Sequence, residues 1–428
     1  MRLMLWKAGA LVVAMTIVAV AEGGAARAQT PDDGIWISRA DLMALPMTGP
    51  SWNRILVDAA KDCSLPDLTN QDDLTNVCIM AKALVAARTG DPVRRDDVMA
   101  ALTVIADGAP YVGRALSLGR ELGAYVIAAD LIELRAVDPA LDVRFRARLS
   151  TLLTTPTLSG PASLIECHEL RPNNWGAHCG ASRIAVAMYL GNQTELARAA
   201  AVFKGWVGDR SSYAGFNFSD NLDWQCNPEF PVGINPVGCL KLGQSIDGVL
   251  ADDQQRSGLF VWPPPQENYV YEALQGALAQ AILLDRAGYP AFEWESRALL
   301  RAFQWLHTQA NFPTDAEDIW EAHVINHYYG TDFPAAVPAR PGKNVGWTDW
   351  THPPTGTPPP PPPPPPPTGP TGLTIPKWTV SSVDLVWTDT SGTETAFHIE
   401  RAGADGVFAE VGVTDADITA YVDNTVSS

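Results

Sequence analysis

An uninterrupted proline run from Pro358 to Pro367 divides this chain of 428 residues. Proline has no amide hydrogen to give to a helix or a sheet, so the run can belong to neither. It adopts an extended polyproline helix, a semi-rigid spacer of roughly 3 Å per residue. The sequence on its two sides is therefore expected to fold separately, with residues 353–370 as a Pro-rich linker. Before it, residues 29–352 are long enough for one large domain; after it, residues 371–428 make a small module. Hydrophobic residues are 46% of the chain, enough for a substantial core.

Residues 1–28 read as a signal peptide. Arg2 and Lys7 supply the positive start, Ala8 to Ala21 an apolar stretch too short for a comfortable membrane span, and Ala26-Arg27-Ala28 a small-x-small cleavage pattern. The mature chain is expected to begin near Gln29, exported to the periplasm or secreted, with no stable membrane span. Six cysteines in three sequence-local couples fit that destination: Cys63 with Cys78, Cys167 with Cys179, and Cys226 with Cys239. Many pairings are formally possible, and local ones are favoured. No C-x-x-C pair is present, which weakens a zinc reading. The net charge of -18 argues against nucleic acid as a partner, because phosphate binding wants a basic surface. It leaves room for a local basic cleft. The oligomeric state is not legible.

Before the linker, apolar residues recur at helical spacing. Asp72 to Ala87 carries Leu74, Val77, Cys78, Ala81 and Leu84 on one face. Val98 to Ile105, Leu116 to Leu134, Leu141 to Leu153, Tyr269 to Leu284, Glu293 to Ala310 and Asp315 to Tyr328 continue the pattern. Asn173 or Asn174 can cap a helix that runs to Leu190 and stops at Gly191. Repeated helices with short breakers suggest antiparallel hairpins, hence a bundle, a solenoid or a closed (α/α) toroid. Ser211 to Pro265 differs: rich in Gly, Asn, Asp, Pro and aromatics, it reads as an ordered loop lining a site. After the linker the period becomes two. Val383 to Trp387 and Ala396 to Glu400 alternate, separated by the turn-rich Thr388 to Thr393. With Trp387 in the second strand and Tyr421-Val422-Asp423 leading toward the sixth, this resembles part of a fibronectin type III module. The strands read here stop before the last two of that fold, a small β-sandwich fragment.

The strongest chemical signal is Arg171-Pro172-Asn173-Asn174-Trp175-Gly176-Ala177-His178. Adjacent amides at a helix start, with His178 one turn after Asn174, put an amide and an imidazole on one face. This resembles the Asn-Asn-His motif of the alginate-lyase family, matched at Asn173 and Asn174. The family's tyrosine element looks like Gln266-Glu267-Asn268-Tyr269-Val270-Tyr271-Glu272-Ala273-Leu274, with Arg256 upstream. The likeness covers about Asp41 to Ala310. It departs where the family has histidine directly after the asparagines, since Trp175 stands there; His178 from the next turn is the candidate replacement.

The resemblance implies an incomplete (α/α) toroid over 29–352 and β-elimination on an acidic, uronate-containing polysaccharide. That reaction removes a proton beside a carboxylate, from a carbon that is very weakly acidic until the carboxylate charge is neutralised. Asn173, Asn174 and Arg256 suit that electrostatic task. His178 and Tyr269 would serve as base and acid. Trp175, Asn268, Tyr271 and His323 are further candidates for touching substrate. The chemistry asks for no metal or other cofactor. His323 and His327 have metal-ligand spacing, but Val324 stands where a zincin has glutamate. Trp206, Trp224, Trp262, Trp305, Trp347 and Trp350 could stack sugars or fill a core. Two rivals remain. A hydrolase of the same architecture needs two facing carboxylates, with Asp220, Asp223, Asp247, Asp252 and Glu267 available. A non-catalytic glycan-binding protein needs neither.

Overall fold

A computed structural model describes residues 14–18, 34–354, 369–390, 392, 394, 396–402 and 408–426. Most of the signal segment and the proline run lie outside these. The described residues fall into two compact units: the helical region up to residue 354, and the C-terminal strands with residues 14–18. No described helix is long and apolar enough to cross a membrane.

The helical unit opens with α1 (Arg39–Ala44), α2 (Pro50–Ala59), α3 (Thr75–Thr89), α4 (Pro92–Ala106) and α5 (Ala115–Leu131). It continues with α6 (Leu134–Val137), α7 (Pro139–Thr154), α8 (Leu164–Leu170), α9 (Asn174–Leu190) and α10 (Gln193–Val207). The irregular stretch after α10 carries a small hairpin of β2 (Leu240–Lys241) and β3 (Gln244–Ser245), then α11 (Ala251–Gln254). The unit closes with α12 (Tyr269–Arg286), α13 (Trp294–Thr308), α14 (Ile319–Tyr329) and α15 (Thr348–Thr351).

Local sequence sets many of these boundaries. Asp91 and Asp138 each cap a helix whose first residue is proline, so the missing amide hydrogen falls where none is needed. Asn173 caps α9, and Gly191 ends it in the left-handed conformation that glycine adopts without penalty. The long helices then sort by burial. α3, α5, α9 and α12 are buried through most of their lengths, whereas α4, α7 and α10 bury a single side. α5, α9 and α12 run parallel: Gly119 and Gly123 of α5 meet Cys179 and Ser182, while Gly180 of α9 and Gly276 of α12 meet Gln280 and Ala177. A Cβ at Gly276 would lie 2.3 Å from the Ala177 carbonyl carbon, so this close crossing requires glycine.

The three cysteine couples pair locally, with Cα separations of 6.3, 6.0 and 5.8 Å that suit disulfides. Cys167–Cys179 ties α8 to α9, and Cys63–Cys78 ties the loop after α2 to α3. The protein is thus mainly α with a small antiparallel β part.

In the C-terminal unit, β4 (Thr371–Trp378), β5 (Val383–Thr388) and β8 (Ala420–Asp423) form one antiparallel sheet. β6 (Ala396–Ala402) and β7 (Phe408–Asp415) form a second, which β1 (Ala14–Val18) joins beside β6. Alternation puts Val383, Leu385 and Trp387 of β5 and Phe397 and Ile399 of β6 into one shared core.

Candidate functional site

The site is built where the first turns of α9 and α12 meet. Asn173 spends its carboxamide on structure: its oxygen accepts from the Trp175 amide, and its nitrogen donates to Asp252 at 2.9 Å. The Asn174 amide donates to Asp253 at 3.1 Å. Two acidic side chains from α11 therefore close this end of α9, and burial together with the neighbouring Asp252 pushes the Asp253 carboxyl well above the carboxylate range. Gly176 lets this corner close, since a Cβ there would overlap the Arg171 carbonyl oxygen. Trp175 is half-buried, with the Arg171 guanidinium 5.7 Å from its ring.

From this corner the chain leads to the phenol singled out in sequence. Arg256, exposed just after α11, lies 3.9 Å over the ring of Tyr269. Tyr269 is the first residue of α12 and is 40% exposed; its hydroxyl has no hydrogen-bond partner among the described residues. Asn268 beside it is exposed and leaves the helix end uncapped by its side chain. One turn deeper the same two helices touch again: His178 Nε2 is 3.8 Å from Glu272 Oε2. That is an electrostatic contact, too long for a hydrogen bond. The paired amides, the imidazole and the phenol thus gather at one end of the parallel helices.

Glu272 is the hub of this end. It accepts from Arg120 of α5 and, at 2.6 Å, from Lys343, which arrives on the segment between α14 and α15. That segment is pinned by the Lys343 amide donating to Gln275, by Asn76 donating to the Lys343 carbonyl, and by Asn344 donating to the Gln275 carbonyl. Asp72 and Glu317 face Lys343 from the solvent side at 3.9 and 3.3 Å. Burial alone would raise the Glu272 pKa, but His178, Arg120 and Lys343 together hold it down at about 2. Gln275 also donates to Asp318 at 2.8 Å. Burial pushes that carboxyl up to about 7 despite the hydrogen bond.

Behind the hub lie buried polar groups that are left without partners. Neither ring nitrogen of His178 is hydrogen-bonded, nor is either carboxamide atom of Asn174; the same holds for both oxygens of Glu121 and of Glu321 and for the Tyr125 hydroxyl. Burial drives the Glu121 pKa up to about 10 and that of Glu321 well above the carboxylate range. Unpaired buried polar atoms are costly, about 1–3 kcal/mol each, so each calls for an ordered water, an ion or a chemical role.

Several sequence candidates land elsewhere. His178 is fully buried and its pKa falls to about 4, chiefly through desolvation, so it is neutral and out of reach of a polymer. Its contact is with Glu272. Tyr271 points two residues away from Tyr269 around α12, is buried, and donates to the Phe312 carbonyl. His323 is buried with Nε2 on the Ala336 carbonyl, while His327 Nδ1 meets the Pro353 carbonyl, so the two rings do not share a ligand. Trp206, Trp224, Trp305, Trp347 and Trp350 are buried, and Trp262 is half-buried.

The loop carboxylates are mostly engaged. Asp223 pairs with Lys241, Asp247 with Arg301, Asp252 with Asn173, and Glu267 accepts from the Tyr269 amide; Asp220 is exposed. Arg120, Glu272, Asp318 and Lys343 were not singled out in sequence. Only Glu272 carried a signal, its position one turn after Tyr269. Compared with known proteins, the chain matches no family model and no curated protein.

Proposed function

We propose that the helical domain is an exported polysaccharide lyase of alginate-lyase type, an incomplete (α/α) toroid that cuts a uronate-containing polymer by β-elimination. The observation that carries this reading is the exposed Arg256–Tyr269 pair, with Asp253 just before Arg256 bonded to the Asn174 backbone amide and Glu272 one turn after Tyr269. In the reaction the C5 proton leaves, its electron pair forms the C4=C5 double bond, the C4–O bond breaks, and the leaving oxygen takes up a proton. Tyr269, the exposed hydroxyl, carries the proton traffic. Arg256 neutralises the uronate carboxylate, which is what makes the C5 proton removable. Asn173, Asn174 and His178 act behind them, fixing α11 and Glu272. The C-terminal strands are read as part of a fibronectin type III module that follows the linker.

A glycoside hydrolase is the second reading, favoured by one observation. Glu272 is held ionised near pKa 2 while Asp318 is raised to about 7, and carboxyl groups pushed apart in this way suit a base and an acid. One assay separates the readings. The full chain is incubated with alginate and with glucuronan, and both reducing ends and the ultraviolet absorbance of an unsaturated uronate are followed. Reducing ends rising together with absorbance support the lyase. Reducing ends without absorbance sink it in favour of the hydrolase, and neither signal leaves a binding protein.

A further inference from the structure

The charged groups of the hub lie in single file from solvent inward. Side-chain exposure falls from 64% at Asp72 and 46% at Glu317 to 20% at Lys343, 15% at Glu272 and 0% at His178. Lys343 thus stands between the solvent-side carboxylates and Glu272. Its ammonium touches both sides: Glu272 within at 2.6 Å, Glu317 and Asp72 without at 3.3 and 3.9 Å. Behind it, both ring nitrogens of His178 and both carboxamide atoms of Asn174 have no hydrogen-bond partner. Groups left unpaired in this way are satisfied only when water or another polar molecule reaches them.

The backbone that carries Lys343 is a fixed post. Its amide donates to the Gln275 carboxamide, its carbonyl accepts from Asn76, and Asn344 beside it donates to the Gln275 carbonyl. Gly342 packs so closely that a Cβ there would come within 2.3 Å of the Trp320 indole nitrogen. The lysine side chain is different: a flexible four-carbon stem ends in a point charge that needs no fixed geometry. It can leave Glu272 and keep Glu317 and Asp72, so moving outward gives up one contact rather than all three. Glu272 meanwhile keeps Arg120.

We propose that the Lys343 side chain is a gate. Swung in on Glu272 it seals the near end; swung out to Glu317 and Asp72 it opens a way from solvent to Glu272 and His178. Because both positions are ion-paired, the open one is a minor state rather than a forbidden one. In that state His178, buried when the gate is shut, comes within reach of a reagent in solution. The gate itself goes beyond the lyase reading, and only its use in cleavage rests on that reading.

The test labels the histidines of the folded full chain with diethyl pyrocarbonate and reads each one by peptide mass spectrometry. The parent is compared with Lys343→Ala and with the double variant Asp72→Asn/Glu317→Gln. His178 is scored as a ratio to His168, which is also buried but has no such gate and so reports global unfolding. Lys343→Ala removes the gate and should raise the ratio about tenfold or more, the worth of a charge-assisted contact. The double variant removes only the solvent-side partners, so its melting should match the parent. Its ratio should fall about three- to tenfold, the worth of two water-screened pairs. A ratio that fails to rise in the first variant, or to fall in the second, overturns the gate. Cleavage of alginate and glucuronan by the same proteins tells the two ideas apart. Gated labelling without turnover keeps the gate and removes the lyase; turnover with ungated labelling does the reverse; neither removes both.

Discussion

The parallel helices α5 and α9 end in two very different neighbourhoods. Their far ends border a hollow of about 730 Å³, larger than the one of about 460 Å³ between the Cys63–Cys78 disulfide and the start of α3. Yet its buried and half-buried charged groups are committed to holding the chain together, and exposed Arg135 alone among its charges has no partner among the described residues. Arg146 donates to the last carbonyls of α9, Tyr189 donates to Asp142 at 2.6 Å, Asp130 accepts from the Ile35 amide, and Arg39 pairs with Glu133. The near ends hold Glu121, Asn174 and His178 with no hydrogen-bond partner, and a carboxylate shared by three positively charged or protonatable groups. Size therefore misleads here. A hollow whose buried groups are paired is what packing leaves over, whereas a buried polar cluster with spare donors and acceptors costs stability and is the place to test for chemistry.

The sharpest way to break this contrast is Glu272→Gln. It leaves Arg120, almost wholly buried, with only the exposed Asp72 at 3.6 Å, and Lys343 loses its inner partner. Removing one member of a buried charge pair costs about 3–5 kcal/mol. Denaturant unfolding should show a loss of that size, together with loss of any polymer cleavage. A variant as stable and active as the parent would mean that the hub is ornamental.

Tyr269→Phe should divide stability from turnover. The hydroxyl bonds to nothing described, so the melting temperature should hold, while cleavage should fall by about 10²–10⁴-fold if the phenol moves the proton. Retained cleavage would remove Tyr269 from the mechanism and shift weight to Glu272 and Asp318.

How much of this was legible beforehand follows from the range of the forces involved. The α9 cap at Asn173, its stop at Gly191 and the local disulfides are written within a few turns of chain, and the sequence displays them. The meeting of Asn174 with Tyr269's neighbourhood could be anticipated only through resemblance. The hub could not: Glu272 lies 152 residues from Arg120 and 71 from Lys343, and no local pattern records such a pairing. Residue type also overstated some candidates. Tyr271 is about 200° around the helix from Tyr269, which turns an equally suitable phenol into core. Tryptophans that could have stacked sugars are mostly inside, because their large apolar area is worth more buried.

The third expected effect is a pH dependence peculiar to the near end. The folded-state pKa of His178, about 4, is below its ordinary 6.5, so the unfolded chain binds the proton first. Stability from this residue is present above pH 6.5 and is lost as pH falls toward 4, on the order of 3 kcal/mol at most. Asp318 runs the other way: raised from 3.8 to about 7, it favours the fold below pH 3.8 and loses that contribution as pH rises through 7. Unfolding curves of the parent, His178→Asn and Asp318→Asn across this range should show the first variant flattening the acid slope and the second the neutral one. Parallel curves for all three would show that neither group is as desolvated as its burial implies.

The smallest effect is expected at the far end, and it is the control on which the contrast depends. Arg39 and Glu133 pair on the rim of the larger hollow with both side chains about half exposed. Water screens such a pair, and holding two long side chains in register consumes entropy, so its net worth is roughly 0.2–1 kcal/mol. Arg39→Ala should thus shift unfolding by no more than that and leave kcat and KM on any cleaved polymer untouched. A kinetic change from this variant would place chemistry, or a route to it, at the end where the buried polar groups are committed. The rule that unsatisfied buried atoms mark the working end would then fail for this protein, because the larger hollow would have been the informative one.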